Sequence, residues 1–491
     1  MTDKYRVSRL LTLTSLIAAL AGVVVLAAAV HARAETIPVA PRAVQQSATL
    51  YLPATLYRPQ ILSEVPIFGV QMYNNTQPDS QYYPSLIQSG ASWVRVAVYW
   101  QKAEPVNVPP AEYDWVFADR ALAAAAPAAG GLHIIGTIEN APEWAVADPN
   151  KQDGPINAQN MADFVEFVAA LVERYDGDGH QDAPGSPVVN YWEFYNEPDR
   201  RLNTTDGRWG LHPTEYAAML AAVYPVVKNQ SPNAQVVFGG LAYDFFEGPF
   251  VRSFLDDVLA AGGGAYFDVF NFHAYPGFAY NWLPPGVTDG GPGLLEKAQY
   301  LHAKLATYGL DKPFVVTEAG WHSNDDVNHP GSEEIQARYV AQLFVQSLAA
   351  DIDVMIWWML NNPGDGGWEN GLITDDNPPR HKLAFTAYQT IVDRLTGREF
   401  VRVLPDAETG STAMEAYEFT AATAGAALYV AWLDPMSSAA TTTLALPGET
   451  VGMISLYGVP GATISDAADG ADDGIVHVPV SAQPAYFEVT Q

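Results

Sequence analysis

Cysteine is absent from this 491-residue chain, which excludes disulfides, a thiolate nucleophile and any cysteine-ligated metal. Basic residues are scarce: 25 lysines and arginines stand against 55 aspartates and glutamates, for a formal charge of −30. A surface of that sign repels phosphate backbones and anionic lipid faces, which argues against a nucleic-acid partner and for a neutral or cationic substrate. Charge of either sign is thin, at 16% of residues against 48% hydrophobic, so the chain is globular rather than disordered. Without crosslinks its stability rests on core burial, which suffices at this length because the buried fraction of surface grows with chain size.

Long apolar runs are confined to the N-terminus. Leu10 to Val30 follows Lys4, Arg6 and Arg9 and ends before Ala32-Arg33-Ala34, the order of charged, apolar and small residues found in an export signal. Residues 1–34 therefore read as a signal removed before Glu35 or, since about twenty apolar residues also cross a bilayer, as an N-terminal membrane anchor. Both readings place the rest of the chain outside the cytoplasm, secreted or anchored. Residues 35–63 form a proline-containing lead-in.

From about residue 64 to 396, short β-branched runs alternate with amphipathic segments eight times. The predicted strands are 67–72, 92–98, 132–138, 189–194, 235–240, 267–272, 313–317 and 353–359. Alternation of this kind predicts a parallel sheet, and eight strands suit a closed (β/α)₈ barrel. Between strands, apolar residues recur every three or four positions, as in Phe164, Phe167, Val168 and Leu171. Beyond about 397 the helical period gives way to alternating runs at 414–419, 427–432, 441–446, 475–480 and 486–489, separated by Asp-Pro, Pro-Gly and Asp-Gly turns. Residues 397–491 thus read as an α-free accessory β-sandwich, making the whole an α/β fold with a small C-terminal all-β domain.

Two segments place a glutamate where an apolar strand stops: Trp192-Glu193-Phe194-Tyr195-Asn196-Glu197-Pro198-Asp199 on strand four and Phe314-Val315-Val316-Thr317-Glu318-Ala319-Gly320-Trp321 on strand seven. The carboxyl ends of barrel strands converge on one face, so Glu197 and Glu318 would meet across it. Cleavage of a glycosidic bond needs two carboxyls flanking that bond, and a gap of about 5 to 5.5 Å leaves no room for water, so one of them must attack the sugar itself. Asp176, Asp178 and Asp182 have the flavour of a calcium loop, but Pro187 stands where a bidentate glutamate is expected, and a solvated turn is the reading adopted.

On these segments the chain resembles the clan A glycoside hydrolases, most closely family 39 and its relatives, over about residues 64–491. Asn196-Glu197-Pro198 is similar to the clan's acid/base motif, and Thr317-Glu318 with Gly320-Trp321 resembles its nucleophile strand. The resemblance implies that Glu197 donates the proton and Glu318 attacks. It also implies that Arg95 hydrogen-bonds the nucleophile, that Asn196 contacts the 2-hydroxyl of the substrate, and that Tyr275 orients the nucleophile while His273 lines the site. An ionised Glu318 nearby is expected to raise the proton affinity of Glu197 by like-charge repulsion. Of the adjacent Trp357 and Trp358 only one can face inward as a sugar floor, and Trp358 is preferred. Glu139 lies in a segment resembling the family's proline-containing loop and is expected to bind a sugar hydroxyl; Trp144 and Trp321 are further candidates for sugar contact. Trp100, Trp282 and Trp368 divide evenly between packing and stacking, whereas Trp115 reads as core.

The function expected is hydrolysis of a β-linked glycoside in an oligo- or polysaccharide, with retention and with no organic cofactor or metal in the chemistry. A non-catalytic carbohydrate-binding or adhesion protein, or a transglycosylase using the same carboxylates, are the alternatives. The identity of the sugar lies in strand-end loops rather than in the catalytic pair, and endo or exo action rests on loops 278–291 and 363–370.

Overall fold

The computed structural model describes residues 62–490 apart from 63, 74–75, 149–151, 202–207, 243–248, 278–281, 283–292, 327–328, 363–366, 421–426 and 435–438. The export or anchor segment, nearly all of the lead-in and most of the 278–291 loop lie outside the described residues.

The eight apolar runs become parallel strands: β1 (Phe68–Gln71), β2 (Trp93–Tyr99), β3 (His133–Glu139), β4 (Tyr191–Phe194), β5 (Gln235–Val237), β6 (Phe270–Ala274), β7 (Phe314–Ala319) and β8 (Ile352–Trp357). They pair in the order β5-β4-β3-β2-β1-β8-β7-β6. Parallel bridges Val237–Val269 and Leu241–Phe272 join the two ends, so the sheet closes on itself. Parallel neighbours need a crossover, and each strand is followed by a helix: α1 (Tyr83–Ser89), α2 (Val116–Ala121), α3 (Met161–Arg174), α4 (Pro213–Gln230), α5 (Phe254–Ala260), α6 (Leu294–Thr307), α7 (Glu333–Ala349) and α8 (Leu383–Leu395). Helix α3 buries one stripe, Phe164, Phe167, Val168, Leu171 and Val172, against the strands. Helix α7 opens at Ser332, whose hydroxyl accepts from the Ile335 N–H at 3.2 Å, with Glu333 and Glu334 in the first turn.

Strand alternation sorts the barrel interior into layers. Trp93, Ile135, Tyr191, Val237, Val269, Val315, Val354 and Ile356 form an apolar plug. Two residues further along five of these strands stand Arg95, Thr137, Glu193, Asn271 and Thr317, all buried and all polar. A barrel whose interior turns polar toward the carboxyl ends of its strands carries its chemistry there.

The C-terminal strands are β9 (Phe400–Val403), β10 (Met414–Phe419), β11 (Ala427–Leu433), β12 (Thr441–Pro447), β13 (Thr450–Ser455), β14 (Pro460–Ser465), β15 (Ile475–Ser481) and β16 (Ala485–Thr490). A six-stranded sheet, β14-β13-β16-β11-β10-β9, faces the pair β12-β15. The expected β-sandwich is present, with three strands more than the sequence patterns indicate. Two of these, β9 and β14, are edge strands and mostly exposed, so they lack the half-buried alternation that marks the others. Both faces of the large sheet are buried: Tyr429, Ala431 and Leu433 join the sandwich core, while Leu428, Val430 and Trp432 join the core that runs through the barrel helices.

Candidate active site

At the carboxyl ends of the strands lies a cavity of about 360 Å³, near the lower end of small-molecule sites. Its walls include Gln71, Arg95, Glu139, Asn196, Glu197 and Glu318, with Trp358 and two arginines, Arg200 and Arg208, from the loop after β4.

The loop after β4 is bent to deliver Glu197. Tyr195 and Glu197 both take left-handed backbone conformations, with φ of 65° and 46°, each costing about 1–2 kcal/mol for a non-glycine residue. The bend is held from outside: the buried Asp199 carboxylate accepts the Ala242 N–H at 3.2 Å, and the Arg208 guanidinium donates to the Asn196 carbonyl at 3.1 Å.

Strand β7 delivers Glu318 by a different device. Opposite β6, Phe272 pairs with Val316 and His273 with Glu318, so Thr317 is the extra residue of a bulge. Two successive side chains therefore point into the barrel, which regular alternation forbids. Gly320 follows because the strand then runs against β8: a Cβ there would sit 2.5 Å from the Trp358 carbonyl oxygen.

Arg95 joins these elements. Its Nη1 donates to Glu318 Oε1 at 2.6 Å and to Gln71 Oε1 at 2.8 Å; Nε and Nη2 form a fork on Glu193 at 2.7 and 2.9 Å; Nη2 also donates to Asn196 Oδ1 at 2.8 Å. The last bond leaves the Asn196 amide N–H groups for the cavity. Glu193, fully buried, accepts further from Thr137 Oγ1 at 2.8 Å, Asn271 Nδ2 at 3.0 Å and the Gly240 N–H at 3.1 Å. Sequence reading missed Glu193 as a site residue, although its place two residues after Tyr191 in an apolar strand puts it on the inward face.

Glu318 is held at both oxygens, Oε2 accepting from the Tyr275 hydroxyl at 2.8 Å. Burial, with the charge of Glu318 beside it, pushes the Tyr275 phenol well above its usual range, so it remains a donor. His273 is fully buried, its Nδ1 3.3 Å from Glu197 Oε1 and 3.6 Å from Glu318 Oε2, and its Nε2 3.2 Å from Thr317 Oγ1. It therefore reaches the two carboxylates from below and does not line the cavity. A donor atom from each of Glu197, His273 and Glu318 lies within 4.8 Å of the others. The spacing would admit a cation, but three arginines already supply positive charge around both carboxylates, and the set fits proton transfer better than metal binding.

Charge in this cluster departs from the sequence expectation. Burial alone would raise the Glu197 carboxyl, but the hydrogen bond and charge of His273, then Arg208 and Arg200, outweigh it and hold Glu197 below its ordinary value. Burial opposes the His273 imidazolium, and the charges of Glu318 and Glu197 overcome it, lifting His273 above its usual value. His273, placed between the two carboxylates, thus favours the ionised form of Glu197, opposite in sign to the effect expected from the repulsion of Glu318 alone. Glu139, at the cavity wall, is pushed up to about 8 by burial and by the charge of Asp153.

Trp358 lines the cavity and meets Tyr275 edge-on at 6.4 Å, whereas Trp357 is fully buried with its Nε1 donating to the Asn370 carbonyl. Trp144 and Trp321 do not line it. Trp144 packs edge-on against Trp100 and donates to the Glu104 carbonyl; Trp321 is buried against Tyr339 and donates to the Pro330 carbonyl. Asp176, Asp178 and Asp182 converge elsewhere, their oxygens accepting the N–H groups of Asp178, His180 and Gly179 in a turn.

Sequence comparison finds no matching family profile and no matching curated protein. Solved structures do match. A family 39 glycoside hydrolase from the gut symbiont Bacteroides cellulosilyticus WH2 superposes with a TM-score of 0.65 at 19% identity, over 87% of this chain and 82% of that one. A glucosidase from Croceicoccus marinus gives 0.59 at 16% identity, over 87% and 96%. A monomeric β-xylosidase from Caulobacter crescentus CB15 gives 0.55 at 14%, over 86% and 96%. At such identities the likeness is one of architecture, and the chain has the fold of the family 39 type of glycoside hydrolase, a (β/α)₈ barrel with a β-sandwich behind it.

Proposed function

We propose that this chain is a retaining glycoside hydrolase that cleaves a β-glycosidic bond in an oligo- or polysaccharide by double displacement. The observation that carries the reading is the approach of the Glu197 and Glu318 carboxylates to within 4.8 Å in one cavity, the close spacing that leaves a carboxylate rather than water to attack.

Glu318 is the nucleophile. Arg95 and Tyr275 grip one oxygen each, which fixes the plane of the carboxylate toward the cavity. An oxygen of Glu318 forms a bond to the anomeric carbon as the bond to the leaving oxygen breaks, and Glu197 gives that oxygen its proton. Esterification removes the charge of Glu318, and Glu197, now ionised, takes a proton from water as the water oxygen attacks the same carbon. The ester bond breaks, Glu318 recovers its charge and Glu197 its proton. The amide N–H groups of Asn196 face the sugar beside Glu318, Trp358 offers an aromatic floor, and protonated Glu139 donates to a hydroxyl. His273 Nδ1, 3.3 Å from Glu197 Oε1, holds that carboxyl in place from below.

Purified protein and its Glu318→Ala variant are to be compared on a panel of activated aryl glycosides. Loss of roughly a thousandfold or more is expected on removing the nucleophile, with retained anomeric configuration in the first-formed product. Equal turnover by the variant, or inversion at the anomeric carbon, would overturn the reading.

A further inference from the structure

The three arginines at the cavity differ in how they are used. Arg95 spends its donors on Gln71, Glu193, Asn196 and Glu318 at 2.6 to 2.9 Å. Arg200 has a loose contact, Nη1 to Glu197 Oε2 at 3.6 Å, and its guanidinium lies 6.0 Å from the centre of the Phe250 ring. Arg208 reaches Asp153 at 3.3 Å and Glu197 Oε2 at 4.0 Å, and donates to the Asn196 carbonyl. The Nε atoms of both are buried without a partner among the described residues. A guanidinium presents five donors in a fork that suits an oxyanion, and here two such forks stand at a cavity wall with donors unspent among the described residues.

Their position says what would meet them. Both face Oε2 of Glu197, the oxygen that His273 does not contact. In the proposed mechanism Glu197 protonates the leaving oxygen, so groups beyond it, away from Glu318, touch the leaving sugar. Their charge also works against that step. An acid must hold its proton when substrate is bound, yet two guanidinium groups beside it favour its ionised form. An anion bound by the arginines would remove this obstacle and return the proton to Glu197.

We infer that Arg200 and Arg208 form a leaving-group subsite for a sugar bearing an oxyanion substituent, a carboxylate or a sulfate. The inference rests on the glycosidase reading and specifies its substrate. The other charged and titratable groups around Glu197 are His273 on β6, Tyr275 just after it, Glu318 on β7, Arg95 on β2, Glu139 on β3 and Asp153 in the loop after β3. Among these, Asp153 engages Arg208 alone, and Arg95 is already committed. The net charge of −30 disfavours a dense polyanion at long range. An isolated acidic sugar in an otherwise neutral glycan satisfies both the field of the whole molecule and the local pair.

The test takes the glycone that wild type removes fastest from neutral aryl glycosides and places it in β-linkage on glucose, glucuronic acid and a sulfated glucose. Wild type should show kcat/KM at least tenfold higher on one or both acidic partners than on glucose, the two arms separating carboxylate from sulfate. In Arg200→Gln and Arg208→Gln the preference should shrink to about twofold, and Arg200→Lys should restore part of it. On the neutral aryl glycoside, the alkaline limb of kcat/KM should move to higher pH in the glutamine variants, since Glu197 then loses a cation that favours its ionised form; a merely structural role would not move it that way. If wild type hydrolyses the aryl glycoside but treats acidic and neutral leaving sugars alike, the subsite is refuted and the glycosidase stands. If it hydrolyses none of them, both fall. The wild-type comparison decides even where a variant fails to fold.

Discussion

Glu139 shows how a single side chain can be placed from sequence while its protonation state stays beyond it. Its place at the end of β3 was legible, because the strand run stops there, and the cavity wall is where it stands. Its proton was not, because that depends on burial, on Asp153 and Arg208 in loops, and on Arg95 and Glu193 from other strands. With a folded-state value raised to about 8, the native protein binds a proton that the unfolded chain has already lost between the ordinary glutamate range and pH 8. Stability therefore falls as pH rises through that window. Glu139→Gln has no proton to lose and keeps the donor. Its melting temperature should match wild type near pH 5 and exceed it by about a few degrees at pH 8.5; a difference that does not change between the two pH values would mean that Glu139 is ionised throughout. The two arginines beyond Glu197 were passed over for another reason. In a chain with 25 basic residues, an arginine just after Asn-Glu-Pro-Asp was a signal, but the motif drew attention only to the carboxylate.

At the scale of the element, strands and helices were legible wherever one face is buried, since the period of apolar residues then reports the geometry directly. All eight barrel strands lie within a few residues of their predicted places. What alternation cannot report is its own interruption. A regular β7 that pointed Glu318 inward would point Thr317 outward, against the helices; the bulge turns both inward. Thr317 Oγ1 lies 2.8 Å from Asn271 Nδ2, 3.2 Å from His273 Nε2 and 3.4 Å from Glu193 Oε1, tying the two catalytic strands to the buried carboxylate. Thr317→Val keeps the shape and removes these bonds, leaving buried polar atoms short of a partner at about 1–3 kcal/mol. The urea midpoint should fall with an unchanged slope, and kcat should fall with it because His273 loses its anchor. A variant as stable as wild type would place Thr317 on the helix-facing side and remove the bulge. Gly240 guards the same contact from the neighbouring loop, since a Cβ there would lie 2.1 Å from His273 Nε2.

Across the whole molecule, the change of pattern along the chain suggested a barrel followed by an accessory β-sandwich, and the packing joins the two into one body. The large C-terminal sheet puts Tyr417, Phe419, Leu428, Val430, Trp432 and Tyr486 into the same apolar core as Phe344, Tyr388 and Ile391 of helices α7 and α8. Polar contacts run across the same boundary, Gln346 Nε2 donating to Glu415 at 2.8 Å and Arg394 and Arg398 meeting Glu488 at 3.4 and 3.6 Å. The sheet is thus a layer between two cores, and a chain ending near residue 396 would expose the faces of α7 and α8 that this layer covers. Phe344, Tyr388 and Ile391 uncovered together amount to several kcal/mol of lost burial, at roughly 1.5–3 kcal/mol each for a fully buried aliphatic or aromatic group, comparable with the whole stability of a domain. Expression of residues 62–396 should give protein that is insoluble or that melts without cooperativity, while the intact chain unfolds in a single transition. A truncated barrel that stays soluble, melts cooperatively and hydrolyses aryl glycosides as fast as the intact chain would show that the sheet merely rests on α7 and α8 and that the barrel closes its own core.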